Sequence, residues 1–183
     1  TSVTVSATAT DANAGYIVSG DTGLSVGDNT VTITVTAEDN SYTEDYTINV
    51  HVLSDDADLS ALSISEGSIS PSFSAGVTSY DVNVANGTTA VTVSATVSDA
   101  VNASYIVSGD TGLSTGDNAV TVQVTAEDGT TKDYTITVRV LSNDADLSAL
   151  SISGATLSPV FDANTLAYTT SVPAGTGSVA VSA

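Results

Sequence analysis

Oxygen-bearing side chains gather at two matching places in this chain. LSDDADLS carries Asp55, Asp56 and Asp58, and LSNDADLS carries Asn143, Asp144 and Asp146. Calcium takes about six to eight oxygen ligands, and carboxylates converging between two folded units would supply several of them. These six residues are therefore the candidate metal ligands. Each place offers only two or three carboxylates, so further ligands would have to come from loops such as Gly109 to Gly112 or Glu127 to Asp128. The plainer reading is a pair of solvated acidic linkers.

The other carboxylates give weaker chemical signals. Asp21, Asp28, Glu38 and Asp39, with their counterparts Asp110, Asp117, Glu127 and Asp128, stand among glycines, where short acidic side chains cap backbone amides in turns. Paired carboxylates can hydrolyse glycosides, but that needs a cleft, one raised pKa and a platform for sugar. A chain rich in Thr and Val shows neither cleft nor platform. His51 is the only histidine, and no Ser, Cys or second His stands at a spacing that would build a triad or a zinc site. It reads as an outward strand position, occupied in the second copy by Arg139. Lys132 is the only lysine, and Glu44 holds its place in the first copy. Cysteine is absent, which excludes disulfides, thiolate metal sites and a cysteine nucleophile. The expectation is that the chain is not an enzyme and requires no cofactor, with calcium the one candidate ion.

Two basic residues against 21 acidic ones set a formal net charge of -19, which repels nucleic acid phosphates and anionic lipid. Neither is an expected partner. Only 13% of residues are charged and mean hydropathy is positive at +0.22, so the chain has the apolar content of a folded protein rather than a disordered one. No run of about eighteen apolar residues is present, so no membrane insertion is expected, and any secretion signal is expected outside this segment.

The elements that would position these residues are repeated. ADLSAL at Ala57 to Leu62 returns at Ala145 to Leu150, 88 residues later. YIVSGDTGLS begins at Tyr16 and again at Tyr105, and VTAED at Val35 and Val124, each 89 residues apart. Single-residue indels of this kind belong in surface loops. Within a repeat, Val120, Val122, Val124 and Ala126 alternate with Thr121, Gln123 and Thr125; Tyr134, Ile136, Val138 and Val140 alternate with Thr135, Thr137 and Arg139. A period of two marks half-buried strands. Tyr80, Val82 and Val84 repeat the pattern, as do Val91, Val93, Ala95 and Val97. Asn86-Gly87, Gly109-Asp110, Gly116-Asp117 and Asp128-Gly129 supply the turns between them. Roughly seven short strands per repeat, without helical periodicity, predict tandem immunoglobulin-like antiparallel β-sandwiches, an all-β fold. Pro71 and Pro159 are expected at a kinked edge, and Phe73, Phe161, Tyr80 and Tyr168 in the core or at its rim.

LSALSIS, SISPSF, SYDVNV and VTAEDGTTKDYTITV together resemble the cadherin-like β-sandwich domain that occurs in tandem on bacterial surface and secreted proteins. The resemblance implies a small sandwich serving as spacer, stalk or adhesive module, without catalytic residues, and implies that acids between consecutive sandwiches could stiffen linkers through calcium. In the first copy AEDGTTKDY becomes AEDNSYTEDY, Ala37 to Tyr46, so the hairpin tip differs.

The expected domains are residues 1–56, the later part of a first sandwich; 57–144, a complete sandwich; and 145–183, the early part of a third. Half-sandwiches expose core faces and open edges. Either the segment is a window on a longer tandem chain, or neighbouring copies complete one another head to tail. The expected function is a structural repeat module of an extracellular bacterial surface or filament protein, with neighbouring copies of the same module as partners in a homopolymer or tandem chain. The rival readings are an adhesin or carbohydrate-binding module and a spacer beside a secreted enzyme.

Overall fold

Alternating Thr and Val on ten-residue segments produces long two-faced strands, and the turn glycines between them fold these strands back on one another. The computed structural model describes residues 1–183 and contains eleven strands and no helix. In chain order they are β1 (Gly15–Ser19), β2 (Gly27–Thr36), β3 (Thr43–Val52), β4 (Leu59–Ile64), β5 (Ser79–Val84), β6 (Val93–Val97), β7 (Ser104–Ser108), β8 (Gly116–Thr125), β9 (Thr131–Val140), β10 (Ser151–Ile152) and β11 (Val181–Ser182). The chain divides into two units, Thr1–Leu141 and Ser142–Ala183.

Within the first unit, β4 and β6 form a two-stranded sheet, and β5-β9-β8-β7 a four-stranded one. A single core joins them. Leu59 and Leu62 from the small sheet meet Tyr80, Val82 and Val84 of β5, Val120, Val122 and Val124 of β8, and Tyr134, Ile136, Val138 and Val140 of β9. Fully burying one such aliphatic side chain stabilises the fold by about 1.5–3 kcal/mol, so the alternation Tyr-x-Ile-x-Val-x-Val on β9 is the main sequence determinant of this layer. The two phenols close the core without stranding their hydroxyls. Tyr80 Oη donates to Val77 O at 2.8 Å, and Tyr134 Oη accepts the Leu59 amide at 3.1 Å.

The expectation of purely antiparallel pairing fails at one place. β5 runs parallel to β9, in the register Tyr80↔Ile136 and Val82↔Val138. No tight turn joins these two strands, so nothing forces them antiparallel, and β5 adds to the free edge of β9 in the direction that the preceding loop delivers it. Six strands form between Leu59 and Val140 rather than seven. The stretch around Pro71 makes only an isolated bridge, Ser70↔Asp81, because proline offers no amide to a ladder.

Residues 15–52 build a separate three-stranded sheet, β1-β2-β3. Its pairings, such as Asn29↔Val50 and Ile33↔Tyr46, reproduce Asn118↔Val138 and Val122↔Tyr134 of the middle sheet. Turn geometry is reproduced as well. Asn29 Nδ2 donates to Ser25 O at 2.7 Å and Asn118 Nδ2 to Ser114 O at 2.8 Å. Asn40 has φ 59° where Gly129 has φ 89°.

The second unit is thinly built. β10 and β11 pair antiparallel, Ser158 bridges Thr169, and Phe161 stacks on Tyr168 at 6.1 Å between ring centroids. That stack repeats Phe73 on Tyr80 at 6.3 Å. None of its side chains is buried.

Candidate functional site

The segment joining β3 to β4, Leu53 to Asp58, is held by the turn between β8 and β9. The Ser54 amide donates to Glu127 Oε2 at 2.9 Å, and the Asp128 amide donates to Ser54 O at 3.0 Å. Ser54 is the one buried polar residue of the chain, because both its backbone groups are satisfied in this grip. His51, the last outward-facing residue of β3, reaches the same carboxylate. Its Nε2 lies 2.8 Å from Glu127 Oε1 and its Nδ1 lies 2.6 Å from Asp28 Oδ1.

Electrostatics follow from this geometry. The Asp28 carboxylate, and then that of Glu127, raises the His51 pKa above its ordinary 6.5. The Ser54 amide, and then His51, holds the Glu127 pKa below its ordinary 4.5. Asp99, in the loop between β6 and β7, is lowered by the amides of Asn102 and Val101, and its charge opposes that of Glu127.

The six residues singled out as metal ligands are placed as follows. Asp56 Oδ1 accepts the Asp58 amide at 2.8 Å. Asp58 Oδ1 accepts Lys132 Nζ at 2.6 Å, and that ammonium lies 5.3 Å from the Tyr134 ring centroid. Asp55 is exposed. In the second unit Asp144 Oδ1 accepts the Asp146 amide at 2.9 Å, and Asn143, Asp144 and Asp146 are all exposed. No group of three or more His, Asp or Glu side chains is arranged to hold a metal ion. Asp56 and Asp144 each accept an amide two residues on, and Asp58 is held by the only lysine.

Of the turn carboxylates, Asp39 and Asp128 do cap amides, those of Ser41 at 2.9 Å and Thr130 at 2.7 Å. Glu127 takes the amide of Ser54 from outside its own turn and also faces His51, as Asp28 does. Sequence reasoning left His51 as a plain surface residue, and the omission has two parts. Asp28 could have been found from the hairpin register, which pairs it with His51. Glu127 lies 76 residues away, and no local pattern announces that contact.

A second feature is an open apolar trough of about 460 Å3 in the first three-stranded sheet, lined among others by Val5, Tyr16, Ile33, Val35, Tyr46 and Ile48. Its floor is the repeat-equivalent of the middle core. Tyr134 and Ile136 are 0% exposed, whereas Tyr46 and Ile48 are 55% and 44% exposed. In the middle copy the β4-β6 sheet covers this face and β5 extends the sheet beside β9. No strand pairs with the outer edge of β3.

Residues 59–141 match the family described as the cadherin-like beta sandwich domain. That segment is a cadherin-like β-sandwich domain. The match takes in β4 to β9 and their shared core, and it lies on somewhat less than half of the chain. It begins and ends beside the two acidic segments, so Ser54, at the junction, stands just ahead of the cadherin-like domain, while Glu127 and Asp128 belong to it. No curated protein and no solved structure matches the chain. No helix is long and apolar enough to cross a membrane.

Proposed function

We propose that the chain is part of a structural array: a repeat module of an extracellular bacterial surface or filament protein, in which β-sandwiches stack head to tail into a rod and carry load rather than catalyse a reaction. The domains of that array are residues 1–56, 57–144 and 145–183, the outer two completed by neighbouring copies. One observation carries the reading. The face formed by Tyr46 and Ile48 is open, and the face of the same sequence pattern, Tyr134 and Ile136, is closed by the segment Leu59 to Val84.

The closing segment has its own repeat at Leu147 to Val172. Leu147, Leu150, Phe161, Tyr168 and Val172 stand where Leu59, Leu62, Phe73, Tyr80 and Val84 stand, and Leu166 and Val160 are 94% and 84% exposed. Apolar strands without a partner and an apolar face without a cover are complementary needs. A copy of this segment, from an adjoining stretch of the same chain or from another chain, satisfies both, with the Tyr168 strand adding parallel to β3 as β5 adds to β9.

The tyrosines of the trough, Tyr16, Tyr42 and Tyr46, are the one feature that speaks for a carbohydrate-binding module. The counterpart of Tyr46 is Tyr134, a core residue, so a stacking platform for sugar would vanish once the face is covered. Calcium is not required in this reading, and the acidic surface keeps rods apart at low salt.

Sedimentation velocity over a range of concentrations, with electron microscopy of the same samples, tests the proposal. Linear oligomers growing with concentration, and their loss in Y168D, support it. A chain that stays monomeric with the Tyr46 face open, or a glycan that binds the trough and protects Tyr46, overturns it.

A further inference from the structure

We propose that His51 is a pH-sensitive clasp across the junction, closed while its ring is protonated and loosened when the ring becomes neutral. The inference rests on the stacked-module reading and adds to it a means of regulation.

The ring stands between two carboxylates contributed by different copies of the repeat. Asp28 comes from β2 of the first sheet, at 2.6 Å from Nδ1. Glu127 comes from the β8–β9 turn of the cadherin-like domain, at 2.8 Å from Nε2. A neutral imidazole has one N–H and one lone pair, so it can donate to only one of these oxygens and must turn its lone pair toward the other. Imidazolium donates to both. The cations of the domain are occupied elsewhere, Lys132 with Asp58 at 2.6 Å and Arg139 beside Asp117 at 3.6 Å. The remaining charge facing this group is Asp99, which opposes that of Glu127. Asp128 meets the linker through its backbone amide.

The same Glu127 carboxylate that holds His51 also accepts the Ser54 amide, so the clasp and the linker grip share an anchor. Loss of the imidazolium leaves one of the two carboxylates facing a lone pair, and where that is Glu127 it keeps only the Ser54 amide.

The direction with pH follows from the two shifts. The His51 pKa is raised in the folded chain, so its contribution is fully present below the unfolded value and is lost as pH rises through the folded one. The Glu127 pKa is lowered, so its contribution is lost as pH falls through that depressed value. The clasp is closed between the two and opens on the alkaline side. His51 is 41% exposed in its side chain, so added salt weakens the effect.

Arg139 stands at the repeat-equivalent of His51, as Asp117 stands at that of Asp28. A guanidinium keeps its charge throughout the range in which histidine titrates. One position of the repeat thus carries a basic side chain in both copies, one that titrates in this range and one that does not.

Because His51 is the only histidine, its ring gives a single C2–H resonance that can be followed without assignment ambiguity in the full chain. The expected midpoint lies above 6.5 and falls in both E127Q and D28N. Amide exchange at Ser54 and Asp128, corrected for intrinsic rates, is expected to quicken by about two- to five-fold as the ring deprotonates, the range for an exposed ion pair. In H51R the protection should not change across that pH range, which separates loss of charge from loss of fold. A midpoint at the ordinary value, or Ser54 protection equal on both sides of the midpoint, overturns the clasp and leaves the array standing. Ser54 and Asp128 amides unprotected at every pH would instead refute the junction, and with it the stacked-module reading.

Discussion

Strands β3 and β9 carry nearly the same pattern, Tyr-x-Ile-x-Val-x-Val, in sheets of the same register, and one is half exposed while the other forms the wall of a core. Burial is therefore not a property of the pattern. An alternating strand specifies which face is apolar, and whether that face is dry depends on a second layer. The middle copy has that layer in the β4-β6 sheet, with β5 closing the edge of β9. In the first copy the same positions line an open trough.

The sharpest way to break this comparison is to truncate matched residues. Tyr134→Ala removes a fully buried ring and leaves the Leu59 amide without its acceptor, and should cost on the order of 3–5 kcal/mol in urea unfolding. Tyr46→Ala, at an exposed position in the isolated chain, should cost under about 1 kcal/mol. If assembly covers the first face, the penalty at Tyr46 should grow under conditions that favour oligomers. Equal effects in dilute monomer would mean that the two faces are equally covered.

A matched pair of turn substitutions should instead behave alike. Gly109 has φ +78° and a Cβ there would lie 2.3 Å from the Ala119 carbonyl oxygen; at Gly20 the values are φ +76° and 2.5 Å from that of Thr30. Gly109→Ala and Gly20→Ala each force a carbonyl to move and place a side chain in the left-handed region, at about 1–3 kcal/mol. Amide exchange across β1-β2 and β7-β8 would report similar local loosening. A large difference would show that the two hairpins are less alike than their registers indicate.

Smaller still is the Lys132–Asp58 pair, whose side chains are 33% and 46% exposed. Lys132→Met should cost about 0.2–1 kcal/mol, and less in high salt. The Asp58 carboxylate raises the Lys132 pKa above its ordinary 10.5, so the pair's contribution holds through neutral pH and fades only as strong alkali discharges the amine. Glu44 occupies the matching place in the first copy, so Glu44→Lys tests whether a cation there aids association with a junction acid of the ADLS type. The smallest expected effect is that of calcium. Thermal melts with calcium and with chelator should coincide, since Asp56 already accepts the Asp58 amide and Asp58 already holds Lys132. A clear rise in melting temperature with calcium would make the junction acids its ligands.

Much of the first-order architecture was legible in the residues. The strands beginning near Val91, Val120 and Tyr134 could be drawn from alternation, their turns from Gly and Asx pairs, and the core from the apolar side of each strand. Three features were not. The parallel course of β5 along β9 depends on which free edge a strand meets, and alternation is blind to direction. The fate of the acids from Asp55 to Asp58 turned on a lysine 74 residues away. The partnership of His51 with Glu127 required two copies of the repeat to be brought together, and a charge pattern read within one copy does not contain it.

The sequence by itself determined the module: its period and its acidic character can be counted from the letters, and its strand faces and turns follow from side chains within a few residues of one another. Tertiary structure alone decided which faces are covered, which carboxylates are paired and which meet an imidazole. Those outcomes depend on contacts between residues far apart in the chain, whose distances exist only once the strands have chosen their neighbours.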